Sequence, residues 1–167
     1  MPISAGSDST NSLNAEMRTF ANQMLSLTSS NPSKFDDWYH RQSGCIVLAV
    51  CQWRKAKEKL ESDGDANGDE FIYTHGINIE VSLPTGSICA ERAAITQAHT
   101  NFPALQGKGN LVAVAVFEHS QQGRNPMRPC EVCQMWLKKL AAPEFRVLAY
   151  PNQDFEQYIE FYCPWSI

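Results

Sequence analysis

Apolar residues recur along the chain in two rhythms. Leu13, Met17, Phe20, Met24, Leu25 and Leu27 fall mostly at three- and four-residue steps, which predicts an amphipathic helix ended by Ser29-Ser30-Asn31-Pro32-Ser33. The run from Cys45 to Cys51 is short and rich in β-branched residues, and predicts a buried strand. Phe71 to Ile79 predicts a second strand, and residues 89–100 a helix closed near Asn101-Phe102-Pro103. Leu111 to Phe117 is continuously apolar, as in an interior strand covered on both faces. Cys130 to Leu140 predicts a helix stopped by Pro143, Phe145 to Tyr150 a strand, and Phe155 to Tyr162 a last helix. A helix, two strands and then alternating helices and strands predict an α/β fold, a three-layer α/β/α sandwich on a mixed sheet of about five strands. The first two strands should be antiparallel and the later ones joined by right-handed crossovers.

The stretches between these elements change the picture little. Residues 1–12 are rich in Ser, Gly and Asn and read as a mobile tail, which leaves 13–167 as a single domain. Lys55, Lys57 and Lys59 form a solvated charged run, and Ser62 to Asp69 reads as a long hairpin connection. Its aspartates lack the late glutamate of a calcium-binding loop. At 167 residues and 18.7 kDa the chain has the size of one domain, and 43% hydrophobic against 19% charged residues suits a packed core. A net charge of -4 argues against a general nucleic-acid binder, which would want a basic face. No apolar run approaches the roughly 18 residues of a membrane span, and the polar N-terminus does not read as a secretory signal. A cytoplasmic protein is therefore expected. Thiols stay reduced there, so the six cysteines point to metal or catalysis before disulfides.

Three cysteines carry the chemistry: Cys89, in Cys89-Ala90-Glu91-Arg92, and Cys130 with Cys133, in Pro129-Cys130-Glu131-Val132-Cys133. Cys130 and Cys133 stand three apart at a helix start, so both sulfurs can face one point. Pro129 suits that start because no backbone donor is needed there. With Cys89 at the head of another helix, the pattern reads as a tetrahedral Zn2+ site of three protein ligands and one open position, the form of a catalytic site. Three thiolates against one dication leave a formal charge of about -1, so the site needs groups that withdraw charge from sulfur. Two helix N-termini and the Arg92 guanidinium can do so. Glu91 then reads as the general base and acid acting on water. Residues two apart on an ideal helix diverge, so Cys89 and Glu91 can share a site only if Cys89 lies at the helix edge.

A Cys, a nearby Glu and a downstream Pro-Cys-x-x-Cys form the zinc-deaminase signature. The chain resembles the cytidine deaminase family, in its short form with three cysteine ligands. The resemblance also includes Gly76-Ile77-Asn78-Ile79-Glu80, with Asn78 eleven residues before Cys89, the interval that the family keeps. It spans about residues 43–150. It implies a hydrolytic deaminase of a free cytosine nucleoside in pyrimidine salvage. It further implies sugar binding by Asn78 and Glu80, backbone donors at Ala90 polarising the base carbonyl, and a homotetramer or at least a homodimer. The departures are specific. Gly44 stands where the family carries a base-stacking aromatic, with Cys45 next to it; Val81 replaces an Asn and Met135 a Gln. The segment between Cys89 and Cys130 is lengthened around Pro103 to Gly109 and Ser120 to Met127. These departures bear on the substrate more than on the reaction, and leave open another amino-heterocycle, such as a modified nucleoside or nucleoside antibiotic.

Other readings stay open at this point. The cysteines could hold a structural zinc in a non-catalytic assembly subunit, or Cys130 and Cys133 could be a redox pair. Cys45, Cys51 and Cys163 read as small buried apolar residues. His75, His99 and His119 read as structural, Trp136 as core, and Trp165 as an interface residue. Arg124 and Arg128 flank the loop entering the Pro129 helix and could pair with a substrate phosphate if they turn inward.

Overall fold

The computed structural model describes residues 8–30, 45–55, 70–80, 86–105, 107–119 and 123–161. In chain order the elements are α1 (Asp8–Ser30), β1 (Val47–Arg54), β2 (Phe71–Ile77), β3 (Ile79–Glu80), β4 (Ser87–Ile88), α2 (Ala90–Asn101) and a 3-10 turn (Pro103–Leu105). They continue with β5 (Leu111–Glu118), α3 (Glu131–Leu140), β6 (Ala141–Ala149) and β7 (Ile159–Phe161). Five strands form one mixed sheet in the order β2-β1-β5-β6-β7. The β5–β6 pair is parallel, with α3 as its crossover, and the other three pairs are antiparallel. Strands β3 and β4 form a separate two-stranded ladder.

Period-two alternation explains why β5 is apolar from Leu111 to Phe117. Ala113, Ala115 and Phe117 pack with Leu13, Met17, Ala21 and Met24 of α1 on one face of the sheet. Val114 and Val116 point to the other face, where Ala94, Ile95 and Ala98 of α2 and Leu137 of α3 cover them. Both faces of the strand are thus sealed, and all eight residues are buried. This is the expected three-layer sandwich.

Several boundaries differ from the expectations for identifiable reasons. Helix α1 starts at Asp8, within the stretch that composition assigns to a tail. Its first turns are held by polar contacts that hydropathy does not register. Arg146 Nη1 donates to Thr10 Oγ1 at 2.8 Å, Tyr150 Oη to Asn14 Oδ1 at 2.7 Å, and Gln52 Nε2 to the Ser9 carbonyl at 3.1 Å. Leu25 and Leu27 are exposed; the buried stripe is Leu13, Met17, Ala21 and Met24. Pro143 does not end α3. It lies inside β6, at a register shift between the Leu111–Ala141 and Ala113–Arg146 pairs, where a missing ladder donor is tolerated. The predicted last helix over Phe155–Tyr162 is not formed. Phe155 adopts a left-handed φ of 54° and buries its ring against Phe117 and Tyr150, and Ile159–Phe161 then pairs with β6 as β7. Trp136 is 40% exposed and not part of the core.

The expectations for the tail up to Ser7, the Ser62–Asp69 connection, Gly44, Val81, Lys57, Lys59, Cys163 and Trp165 lie outside the described residues.

One glycine positions the site. A Cβ on Gly76 would lie 2.0 Å from the Ala90 carbonyl oxygen and 2.4 Å from the Ala94 nitrogen. The bare backbone of β2 therefore lies directly against the first turn of α2, the turn that carries Glu91.

Candidate active site

Cys89 and Cys130 occupy equivalent places, each at the N-cap of a helix. Cys89 precedes α2 with φ -73° and ψ 154°, and Cys130 precedes α3 with φ -65° and ψ 164°. Both backbones are extended, and neither side chain caps its own helix. Each of these cysteines is therefore carried at a helix N-terminus, where negative charge is favoured. This resolves the divergence of Cys89 and Glu91, because Cys89 is outside the helical projection and Glu91 is inside it. Cys133, in the first turn of α3, is buried.

The three sulfurs converge. Cys89 Sγ and Cys130 Sγ are 3.7 Å apart, and the three ligand atoms all lie within 4.8 Å of one another. Zinc–sulfur bonds of about 2.3 Å at tetrahedral angles put sulfurs roughly 3.8 Å apart, so the donor set fits zinc in both chemistry and spacing. Among the described residues no fourth His, Cys, Asp or Glu joins this group. Cys45 and Cys51 are buried and do not join the group, and burial pushes the Cys51 thiol up.

Electrostatics follow the same arrangement. A hydrogen bond from Cys133 and the nearby Arg92 and Cys130 bring the Cys89 thiol down to about 5, against the cost of its burial. The Cys133 thiol is pushed up, chiefly by that same hydrogen bond. Arg92 Nη2 donates to Cys89 Sγ at 3.7 Å, and Arg92 Nε is buried without a hydrogen-bond partner among the described residues. Glu91 is 4% exposed, and burial raises its carboxyl, with Cys89 adding to the rise. Such a carboxyl holds a proton more readily than a solvated one, which suits a group that must take and return one.

These groups open onto a cleft of about 230 Å³. Glu91, Cys89, Cys130 and Ala90 line one part of it; Asn78, Glu80 and Ser87, from β3, β4 and the residue before them, line another. Arg124, Met127 and Arg128, from the connection between β5 and α3, complete it with Cys45, Val47, Ile88 and Val116. Every residue that the sequence marks for the site is at this cleft or, for Cys133 and Arg92, touching its sulfurs.

Asn78 does more than line the cleft. Its Oδ1 accepts from the Val47 N–H at 2.8 Å, and its Nδ2 donates to the Cys45 carbonyl at 2.9 Å. The amide thereby fastens the segment that leaves β2 to the start of β1. His75 turns elsewhere: its Nε2 is 2.8 Å from Glu16 Oε1, and its ring packs against Phe20. Sequence reasoning missed Val47, Ser87, Ile88, Val116 and Met127 as lining residues, since no motif or periodicity marks them.

Comparison with known proteins agrees with the fold. The cytidine deaminase from Burkholderia pseudomallei superposes with a TM-score of 0.52 at 21% identity, covering 83% of this chain and 91% of that one. The cytidine deaminase from Mycobacterium leprae gives a TM-score of 0.45 at 18% identity over 74% of this chain and 81% of that one. No curated protein matches the sequence significantly. The family described as LmjF365940 subfamily CDD/CDA-like deaminase matches residues 9–124, a span that holds Asn78, Glu80, Cys89 and Glu91 and stops before Cys130. Matched over more than half its length, the chain belongs to this CDD/CDA-like deaminase family.

Proposed function

We propose that this chain is a zinc-dependent hydrolase that removes the exocyclic amine of a cytosine nucleoside, releasing ammonia and leaving the uracil product. The observation that carries the reading is the convergence of the Cys89, Cys130 and Cys133 sulfurs at a cleft lined by the buried Glu91. The three thiolates would hold zinc, which supplies Lewis acidity that makes water a nucleophile near neutral pH. Glu91 takes a proton from the attacking water and delivers it to N3 of the ring, which accumulates charge as the ring is attacked. It then takes the remaining hydroxyl proton from the ring adduct and passes it to the departing amine, so that the C4–N bond breaks, ammonia leaves and the carbonyl forms. Arg92 and the two helix N-termini moderate the charge on the sulfurs. Glu80 accepts hydrogen bonds from sugar hydroxyls, and the Ala90 backbone donates to the base carbonyl.

The same reading makes the chain from the start of α1 at Asp8 onward one domain, places the enzyme in cytoplasmic pyrimidine salvage, and makes it a homo-oligomer, a tetramer or a dimer. Val132, Met135 and Trp136 project from α3 at 49%, 64% and 40% exposure, which supports burial against another copy. Among the described residues no helix is long and apolar enough to cross a membrane.

A second reading has its own support. None of the described residues lining the cleft carries an aromatic ring for stacking on a pyrimidine, which favours a different amino-heterocycle. A panel of cytidine, deoxycytidine and blasticidin, followed by ammonia release, tests both. Turnover of cytidine or deoxycytidine supports the first reading, and turnover of blasticidin alone supports the second. A zinc-loaded protein that deaminates nothing would point to a non-catalytic assembly subunit.

A further inference from the structure

We propose that the cleft is built for a substrate that carries a dianionic group, a 5′-phosphate on the pyrimidine nucleoside, held by Arg124 and Arg128. The inference rests on the deaminase reading and names the substrate class of that same site. A neutral nucleoside needs a carboxylate for its hydroxyls and a proton carrier for its base, and Glu80 and Glu91 line the cleft for those tasks. It has no use for two guanidinium groups, yet both arginines line the same small space. Guanidinium groups pair with phosphate oxygens through parallel N–H donors, and a phosphate monoester carries close to two negative charges at neutral pH.

The connection that bears the two arginines is anchored around each of them. Next to Arg124, the Asn125 side chain imitates a strand partner for Glu118: its Oδ1 accepts from the Glu118 N–H at 2.9 Å and its Nδ2 donates to the Glu118 carbonyl at 2.8 Å. Next to Arg128, Met127 packs against the core between the sheet and α2. The Arg128 guanidinium also lies 5.9 Å from the centre of the Phe161 ring on β7, a cation–π distance. A backbone held in this way keeps both arginines beside the cleft, which reduces the ordering cost of binding an anion. A chain of net charge -4 does not suit a polynucleotide backbone, which leaves a single phosphate as the group for two neighbouring arginines.

The test measures kcat/KM of the zinc-loaded full chain for cytidine, deoxycytidine, their 5′-monophosphates and a short single-stranded oligonucleotide with one cytosine. The monophosphate is expected to exceed its nucleoside by at least about tenfold, as charge-assisted hydrogen bonds imply. The Arg124→Gln/Arg128→Gln double substitution is expected to bring that ratio close to one. Both side chains are exposed, so folding should survive, and a melting curve checks this. Equal or better turnover of the nucleoside, an unchanged ratio in the double variant, or turnover of the oligonucleotide alone would overturn the proposal. If the parent deaminates none of these, the functional reading has failed, and calorimetry decides the phosphate question separately. Cytidine 5′-monophosphate binding more tightly than cytidine, with the difference lost in the double variant, supports the proposal; equal binding overturns it.

Discussion

Asn78 Nδ2 lies 3.3 Å from Glu80 Oε1, so the amide that fastens β1 also steadies the carboxylate two residues on. In the sequence the two residues look like an equivalent pair of sugar ligands. In the fold they differ: Asn78 is 7% exposed and bonded to the Val47 and Cys45 backbone, while Glu80 is half-buried at the cleft. Removing Asn78 strands a backbone donor and a carbonyl in a part-buried place. Asn78→Ala is therefore expected to lower stability by about 1–3 kcal/mol as well as weaken substrate binding. Glu80→Gln should leave the melting temperature near that of the parent and lower kcat/KM for a ribonucleoside about tenfold or more, with zinc retained. Thermal melts and kinetics on the two variants separate these roles.

Gly76 makes a sharper stability prediction. A methyl group at that position would meet the Ala90 carbonyl and the Ala94 nitrogen, which are backbone and cannot rotate away. Strand β2 and helix α2 would have to separate, and the Glu91 turn would move with them. Gly76→Ala is expected to cost about 3 kcal/mol, at the top of the usual overpacking range, or to abolish soluble expression. A melting temperature within a degree or two of the parent would show that the contact is not as close as described.

The metal prediction concerns stoichiometry. Only Cys89, Cys130 and Cys133 bring sulfurs to one point among the described residues. Metal analysis of the purified chain should find one zinc per chain, and none in the Cys89→Ser/Cys130→Ser/Cys133→Ser variant. A chelator should remove activity, and added zinc should restore it. Full zinc content in the triple variant would place the ion elsewhere.

The sandwich and its centre were legible because both depend on periodic burial. The unbroken apolar run at Leu111–Phe117 implies helices on both faces, and α1 with α2 and α3 provide them. The positions of the two cysteine motifs were legible because each stands at a helix start, whose local chemistry the sequence carries. What hydropathy could not show was set by tertiary contacts. The Ser- and Asn-rich start of α1 becomes helical through partners on β1 and β6 and on Tyr150, far away in the chain. Ile159–Phe161 is too short to show a period and becomes a strand only because the edge of β6 offers it a partner. The cleft walls at Val47, Val116 and Met127 are ordinary apolar residues whose role comes from where the sheet ends place them.

The central claim is that Glu91 carries protons in a deamination. Glu91→Gln keeps nearly the same shape, so the fold and the zinc content should hold, but an amide can neither accept the proton of the attacking water nor deliver one to N3. The direct measurement is single-turnover and steady-state deamination by the parent and Glu91→Gln, on the best substrate of the panel, at equal zinc occupancy. The predicted result is a loss in kcat of at least the roughly 10²–10⁴-fold typical of a general acid–base group, with substrate binding preserved or tightened. A parent that deaminates while Glu91→Gln does so at a similar rate would contradict the account, even with all three zinc ligands confirmed.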